Sequence, residues 1–198
     1  ANTAYASGGI TGLGDEAVTL SDTSLATTVL NTLDDNTTGA VNAATVTTLT
    51  GTAATANTAY ASNGITGLGD EAVTLTDISL AADALNTTNT NTTGTVTVQA
   101  TTVTGTAGNL VTAYGAQGFG IDGLGNEAIK ASGTLTVAQA NTLAGLTTRA
   151  VTSTISNGDM TTLAGITETS NALSIAVTDA SISANCAKCA RFSRNVED

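Results

Sequence analysis

Carboxylates carry most of the reactive chemistry open to this chain. Asp15-Glu16, Asp70-Glu71 and Asn126-Glu127 recur just ahead of a predicted strand. Oxygen donors stacked from neighbouring copies are what a hard divalent cation such as Ca²⁺ prefers, which makes Asp15, Glu16, Asp70 and Glu71 calcium candidates. Asp122 joins them through Gly118-Phe119-Gly120-Ile121-Asp122, which has the G-x-G-x-D form of half a calcium-binding nonapeptide repeat. Against a metal, that pattern occurs once where such sites need consecutive turns. The acidic pairs are also expected two turns apart, about 10 Å at the spacing of paired strands, too far for one ion to bridge. The plain alternative is a set of solvated charges covering a loop, so no cofactor is expected and calcium is the one candidate.

Other chemistry is thinly supplied. Histidine is absent, so the commonest general base and metal ligand is missing, and no Ser–His or Cys–His arrangement exists. No catalytic residue is assigned, and an enzyme is not expected. Cys186 and Cys189 form a lone C-x-x-C in a basic tail: a redox pair, half a zinc site short of two ligands, an interchain disulfide, or an incidental tail. Tyr5, Tyr60 and Tyr114 recur with the same period on predicted helices, where they either fill the core edge or present rings to a sugar. The 43 threonines raise ice binding, which needs a flat Thr-x-Thr face in register. Thr19, Thr74 and Thr97 are candidates for such a row, with Lys130 interrupting it, while half-buried strand positions suit β-branched residues equally well.

These residues sit in an array. Residues 1–20 read ANTAYASGGITGLGDEAVTL and residues 56–75 read ANTAYASNGITGLGDEAVTL, differing only at Gly8 and Asn63. A looser copy, VTAYGAQGFGIDGLGNEAIK, occupies 111–130. Self-similarity at this period signals a repeat architecture. The array is assigned to residues 1–183, with repeats of about 1–55, 56–110 and 111–183. Residues 184–198 form a non-repeat tail, disordered or appended. The near-identity of two copies, and an opening inside the repeat, lead to the expectation of a segment from a longer array.

Short alternating runs predict strands at Ala17–Leu20, Val41–Ala43, Ala72–Leu75, Val96–Ala100, Ala128–Ala131, Val151–Ile155 and Leu173–Val177. Between them lie helical stripes. Leu25, Val29, Leu30 and Leu33 share a face of a helix expected to start near Ser24, capped within Asp22-Thr23-Ser24. Asp77, Ser79, Leu80, Ala84 and Leu85 repeat it, and Ala53–Ala61, the Val137–Leu146 stripe and the Met160–Ile166 stripe follow. Strands joined by helices through short links must run parallel. The predicted fold is an α/β solenoid, a leucine-rich-repeat-like stack of strand–helix coils with one parallel sheet. The alternative is a parallel β-solenoid, favoured by the Thr-rich runs 45–52 and 95–104.

Composition agrees with thin repeated layers. Hydrophobic residues make up 41 % but aromatics only 3 %, so small aliphatic side chains must fill the interior. The net charge of −11 disfavours nucleic acid and anionic membranes, and no run approaches the roughly 18 apolar residues of a membrane span. The units GITGLGDEAVTLSDTSLA, VLNTLDDNTTG and VTTLTGTAA resemble the Thr/Ala-rich tandem repeats of giant cell-surface, adhesin-like proteins of marine cyanobacteria, one of which is associated with swimming. The resemblance covers roughly residues 1–183 and implies an extracellular or cell-surface location and no transferable site residues. The expected function is a structural spacer or stalk whose partners are neighbouring repeats, with head-to-tail self-association open. The alternative is a binding module presenting a repetitive surface to carbohydrate, another cell or a crystal face.

Overall fold

The computed structural model describes residues 1–7, 9–158, 160–167 and 171–177. Cys186, Cys189 and the rest of the tail lie outside the described residues. The chain opens with α1 (Asn2–Tyr5), β1 (Val18–Thr19), β2 (Ser24–Ala26), α2 (Thr27–Asp35), β3 (Val41–Asn42) and β4 (Thr48–Gly51). The middle contains α3 (Ala53–Ala61), β5 (Ile65–Thr66), β6 (Ala72–Leu75), β7 (Ser79–Ala81), α4 (Ala82–Asn91), β8 (Val96–Val98) and β9 (Thr102–Gly105). Then come α5 (Ala107–Gly115), β10 (Ile121–Asp122), β11 (Ala128–Leu135), α6 (Val137–Ala144), β12 (Val151–Gly158), α7 (Met160–Leu163) and β13 (Ala172–Val177). Strand–helix units alternate and every strand pair is parallel, so the fold is α/β.

The expected single sheet is corrected to three among the described residues: β1-β3-β5, then β2-β4-β6-β8-β10, then β7-β9-β11-β12-β13. In the first, Val18 faces Val41 and Val41 faces Ile65. In the middle sheet the column runs Leu25, Leu49, Val73, Val96, Ile121. In the third it runs Leu80, Val103, Ile129, Val151. Partners in a column are 22 to 26 residues apart. The next strand sideways, Val18 to Leu25 or Val73 to Leu80, is 7 residues on.

That arithmetic explains the 55-residue period. A step of 55 covers two column steps of about 24 and one sideways step of 7. Each repeat therefore moves one sheet over: Val18 lies in the first sheet, and its twin Val73 lies in the middle one. The uneven 32–33-residue spacing between predicted strands is a column step plus a sideways step. Val41 accordingly pairs with Ile65 rather than Val73, and Val96 with Ile121 rather than Ile129.

A second correction concerns where helices begin. Ser24–Ala26 and Ser79–Ala81 are strands, and the helices that follow begin at Thr27 and Ala82 without side-chain caps. Leu30 and Leu33 are buried, whereas Val29 faces solvent. Asp77 does cap a helix, but not its own: its carboxylate accepts the Ala53 N–H of α3 at 2.8 Å. The Ala53–Ala61 helix stands as expected, and α6 spans most of the Val137–Leu146 stripe.

Threonine is a middling helix former, yet it recurs here inside helices. Thr32, Thr58, Thr87 and Thr142 each donate to the carbonyl four residues back, at 2.8 to 3.0 Å. The asparagine before each of them reaches sideways instead. Asn31 donates to the Thr55 carbonyl, Asn57 to Ala84, Asn86 to Asn109 and Asn141 to Gly165, at 2.8 to 3.0 Å. α2 is thereby pinned to α3, α3 to α4 and α4 to α5, in a row that α6 extends by packing on α5.

Candidate functional site: a repeated tyrosine–glutamate node

The conspicuous carboxylates and tyrosines come together. Tyr60 stands on the last turn of α3, and after it the chain makes the Gly67-Leu68-Gly69 turn, with φ of +82° and +139° at its glycines, a region that favours residues without Cβ. The turn points the Gly69 N–H at the Glu71 carboxylate, 3.1 and 3.0 Å from its two oxygens. The Tyr60 hydroxyl donates to the same carboxylate at 2.9 Å. Glu71 is wholly buried, and a buried carboxylate is tolerable only with donors of this kind around it.

The next turn of the chain locks the node from outside. Thr92 donates its hydroxyl to the Glu71 carbonyl at 2.6 Å and accepts the Gly94 N–H at 3.0 Å, while the Thr93 N–H reaches the Gly69 carbonyl at 2.8 Å. Gly94 is required by proximity, because a Cβ there would lie 2.3 Å from the Glu71 carbonyl oxygen.

Two further copies share this wiring. Around Glu16 the donors are Gly14 N–H at 2.7 Å and Tyr5 hydroxyl at 3.3 Å, with Thr37 donating to the Glu16 carbonyl at 2.7 Å. Around Glu127 they are Gly125 N–H at 2.9 Å, Asn126 N–H at 3.2 Å and Tyr114 hydroxyl at 3.1 Å, with Thr147 donating to the Glu127 carbonyl at 2.5 Å. Tyrosine and glutamate are 11, 11 and 13 residues apart. The longer spacing accommodates Gly118-Phe119-Gly120, where the Gly118 N–H donates to the Ile121 carbonyl and Phe119 is 94 % exposed.

The calcium candidates therefore divide. Glu16 and Glu71 are committed to protein donors, whereas Asp15, Asp70 and Asp122 are exposed, Asp122 as a strand residue opposite Thr97. Among the described residues, no three His, Cys, Asp or Glu side chains converge. The threonine row is also rearranged. Thr50, Thr74 and Thr97 are in register on the middle sheet, flanked by Ala26 and Asp122. Thr19 belongs to the first sheet, and Lys130 lies between Thr104 and Thr152 on the third.

Sequence reasoning placed Tyr, Glu and Thr separately and missed their convergence. The signal was the common 55-residue step of Tyr5/Tyr60, Glu16/Glu71 and Thr37/Thr92, which marks parts of one structure. The asparagine ladder was missed as well, although Asn-Thr recurs in α1, α2, α3, α4 and α6.

The node has a pH signature. Burial above all, then the hydrogen bond and charge of Glu71, raises the Tyr60 hydroxyl well above its ordinary value of 10.0. Burial, then the Glu127 charge, does the same for Tyr114. The folded state thus keeps protons that the unfolded chain would release. This stabilisation is complete below about pH 10 and is lost as pH climbs toward the raised folded values. In an alkaline titration the phenolate absorbance of Tyr60 and Tyr114 is expected to appear together with loss of helical circular dichroism. Ionisation of both near pH 10, with the dichroism intact, would contradict the node. On the acid side the Gly14 N–H, chiefly, holds Glu16 below the ordinary glutamate range. Its contribution is present above that range and fades as pH falls through the lowered value.

Comparison with protein families, curated proteins and solved structures finds no match. Among the described residues no helix is long and apolar enough to cross a membrane.

Proposed function

We propose that this chain is an open α/β solenoid segment acting as a structural spacer in an extracellular surface protein, with neighbouring repeats as its partners and no catalysis. The observation that carries this reading is the threefold Tyr–Glu–Gly–Thr node. The most reactive-looking side chains of each copy are used to fasten one turn of chain to the next. A module that invests its buried polar groups in self-stacking gains length with each copy, because every layer shields the apolar face of its neighbour. The surface location follows from the resemblance to giant surface-protein repeats.

Inserting two further copies of residues 56–110 after Asn109-Leu110 tests the reading by small-angle scattering. Four added layers at strand spacing should add about 20 Å along the stack, displaced sideways by one sheet per repeat, with each layer keeping its thickness. Growth in all directions would refute it.

The register of Thr50, Thr74 and Thr97 favours a second reading, a binding face for carbohydrate, another cell or a crystal surface. Glycan arrays, and adhesion with and without a chelator, would reveal it. Loss of adhesion on chelation would also bring calcium back to the exposed carboxylates.

A further inference from the structure

Two nearly identical stretches, residues 1–20 and 56–75, occupy different surroundings, and the difference defines a surface. Ile65 is 8 % exposed and Ile10, its twin, 49 %. Ala56, Ala59 and Val73 are buried, while Ala1 is exposed and Ala4 and Val18 are half-buried. What covers the second copy is the turn of chain from 27 to 52: α2 packs on α3, β3 pairs with β5 and β4 with β6.

Each feature of that covering turn has an empty counterpart at the first copy. A Cβ on Gly67 would lie 2.8 Å from Ala44, whereas one on Gly12 would meet nothing within 4 Å. Ser62 donates to Asp34 at 2.6 Å and accepts the Gly64 N–H at 2.9 Å, whereas the Ser7 hydroxyl accepts the Gly9 N–H at a longer 3.4 Å. The Ala72 and Thr76 N–H groups donate to the Thr47 and Gly51 carbonyls, whereas Ala17 and Ser21 face no backbone acceptor among the described residues. Asp77 caps the N-terminus of the nine-residue α3, whereas its twin Asp22 is exposed.

We propose that the face formed by Ile10, Gly12, Ala17, Ser21 and Asp22 is a docking surface for one more helix–strand–strand layer with the sequence character of residues 27–55, joined in line ahead of Ala1. The proposal rests on the spacer reading and adds the identity and register of the neighbour. The occupant must supply an Ala44-like residue over Gly12, an Asp34-like carboxylate to Ser7, and carbonyls like those of Thr47 and Gly51 to the Ala17 and Ser21 amides. Its last residues, the counterparts of Ala53–Thr55, must run on into α1, bringing the N–H that matches Ala53 to Asp22. The junction from residue 55 to 56 already does this inside the chain, so the surface continues an interface that the protein builds between residues 27–55 and 56–75.

The test fuses a second copy of residues 27–55 directly before Ala1 of the full chain and follows amide hydrogen exchange. Ala17 and Ser21 should exchange slower by roughly tenfold or more, toward the rates of Ala72 and Thr76. Ala44→Trp in the fused copy alone should abolish the gain, because the indole cannot fit over Gly12. Unchanged exchange at Ala17 and Ser21, or equal protection by the Trp variant, would overturn the proposal. So would concentration-dependent protection of these amides in the unfused chain, which would make the occupant a second molecule. The lengthening experiment probes internal copies only, so it can succeed while this one fails.

Discussion

Replacing Leu49 with alanine is expected to destabilise the fold by about 2–5 kcal/mol, the range for emptying a fully buried leucine site. Leu49 has no exposed surface and stands inside the middle column, between Leu25 and Val73. Its own strand, β4, is hydrogen-bonded on both edges, to β2 and β6, so the site has little freedom to collapse. Urea titration followed by circular dichroism measures the loss. A change under about 1 kcal/mol would mean that the column is loosely packed, unlike a native core. Val29→Ala serves as the control, since Val29 is 44 % exposed and should cost little.

The second large effect belongs to Glu71→Ala, expected to cost about 2–4 kcal/mol because it removes a wholly buried carboxylate that two donors share, Gly69 N–H and Tyr60 O–H. Glu71→Gln keeps a carbonyl oxygen for the Gly69 N–H and should cost less. Glu16→Ala should also cost less, because Glu16 is only half-buried and its tyrosine bond is longer, 3.3 Å against 2.9 Å. A double-mutant cycle of Tyr60→Phe with Glu71→Gln should show a coupling of about 0.5–3 kcal/mol. Additivity would place the tyrosine outside the node.

Three nodes with the same wiring explain why the acidic pairs looked like ligands. A glutamate two residues after a glycine turn and preceded by an exposed aspartate reads as a surface carboxylate pair in one dimension. Its burial follows from the tyrosine 11 residues upstream and the threonine 21 residues downstream, which belong to other elements. Likewise, Asp22-Thr23-Ser24 has the composition of a helix cap, but Ser24–Ala26 pairs with Thr48–Thr50. Tertiary hydrogen bonding overrides the local preference there. Short strands such as β5 and β10, two residues each, carry too little periodicity to be seen alone and exist because a neighbouring strand is in register.

The amino-acid sequence by itself determined the repeat, the parallel alternation of strand and helix, and the aliphatic core, because those follow from local periodicity and from links too short for antiparallel return. Ala53–Ala61 and Ala72–Leu75 were legible to the residue for that reason. The tertiary structure alone decided that there are three sheets instead of one and that each repeat steps sideways. It also decided that Tyr, Glu, Gly and Thr from separate segments close on one buried carboxylate. A 55-residue period is compatible with several ways of winding the chain. Only the hydrogen-bond register, in which a strand finds its partner about 24 residues away, selects one of them.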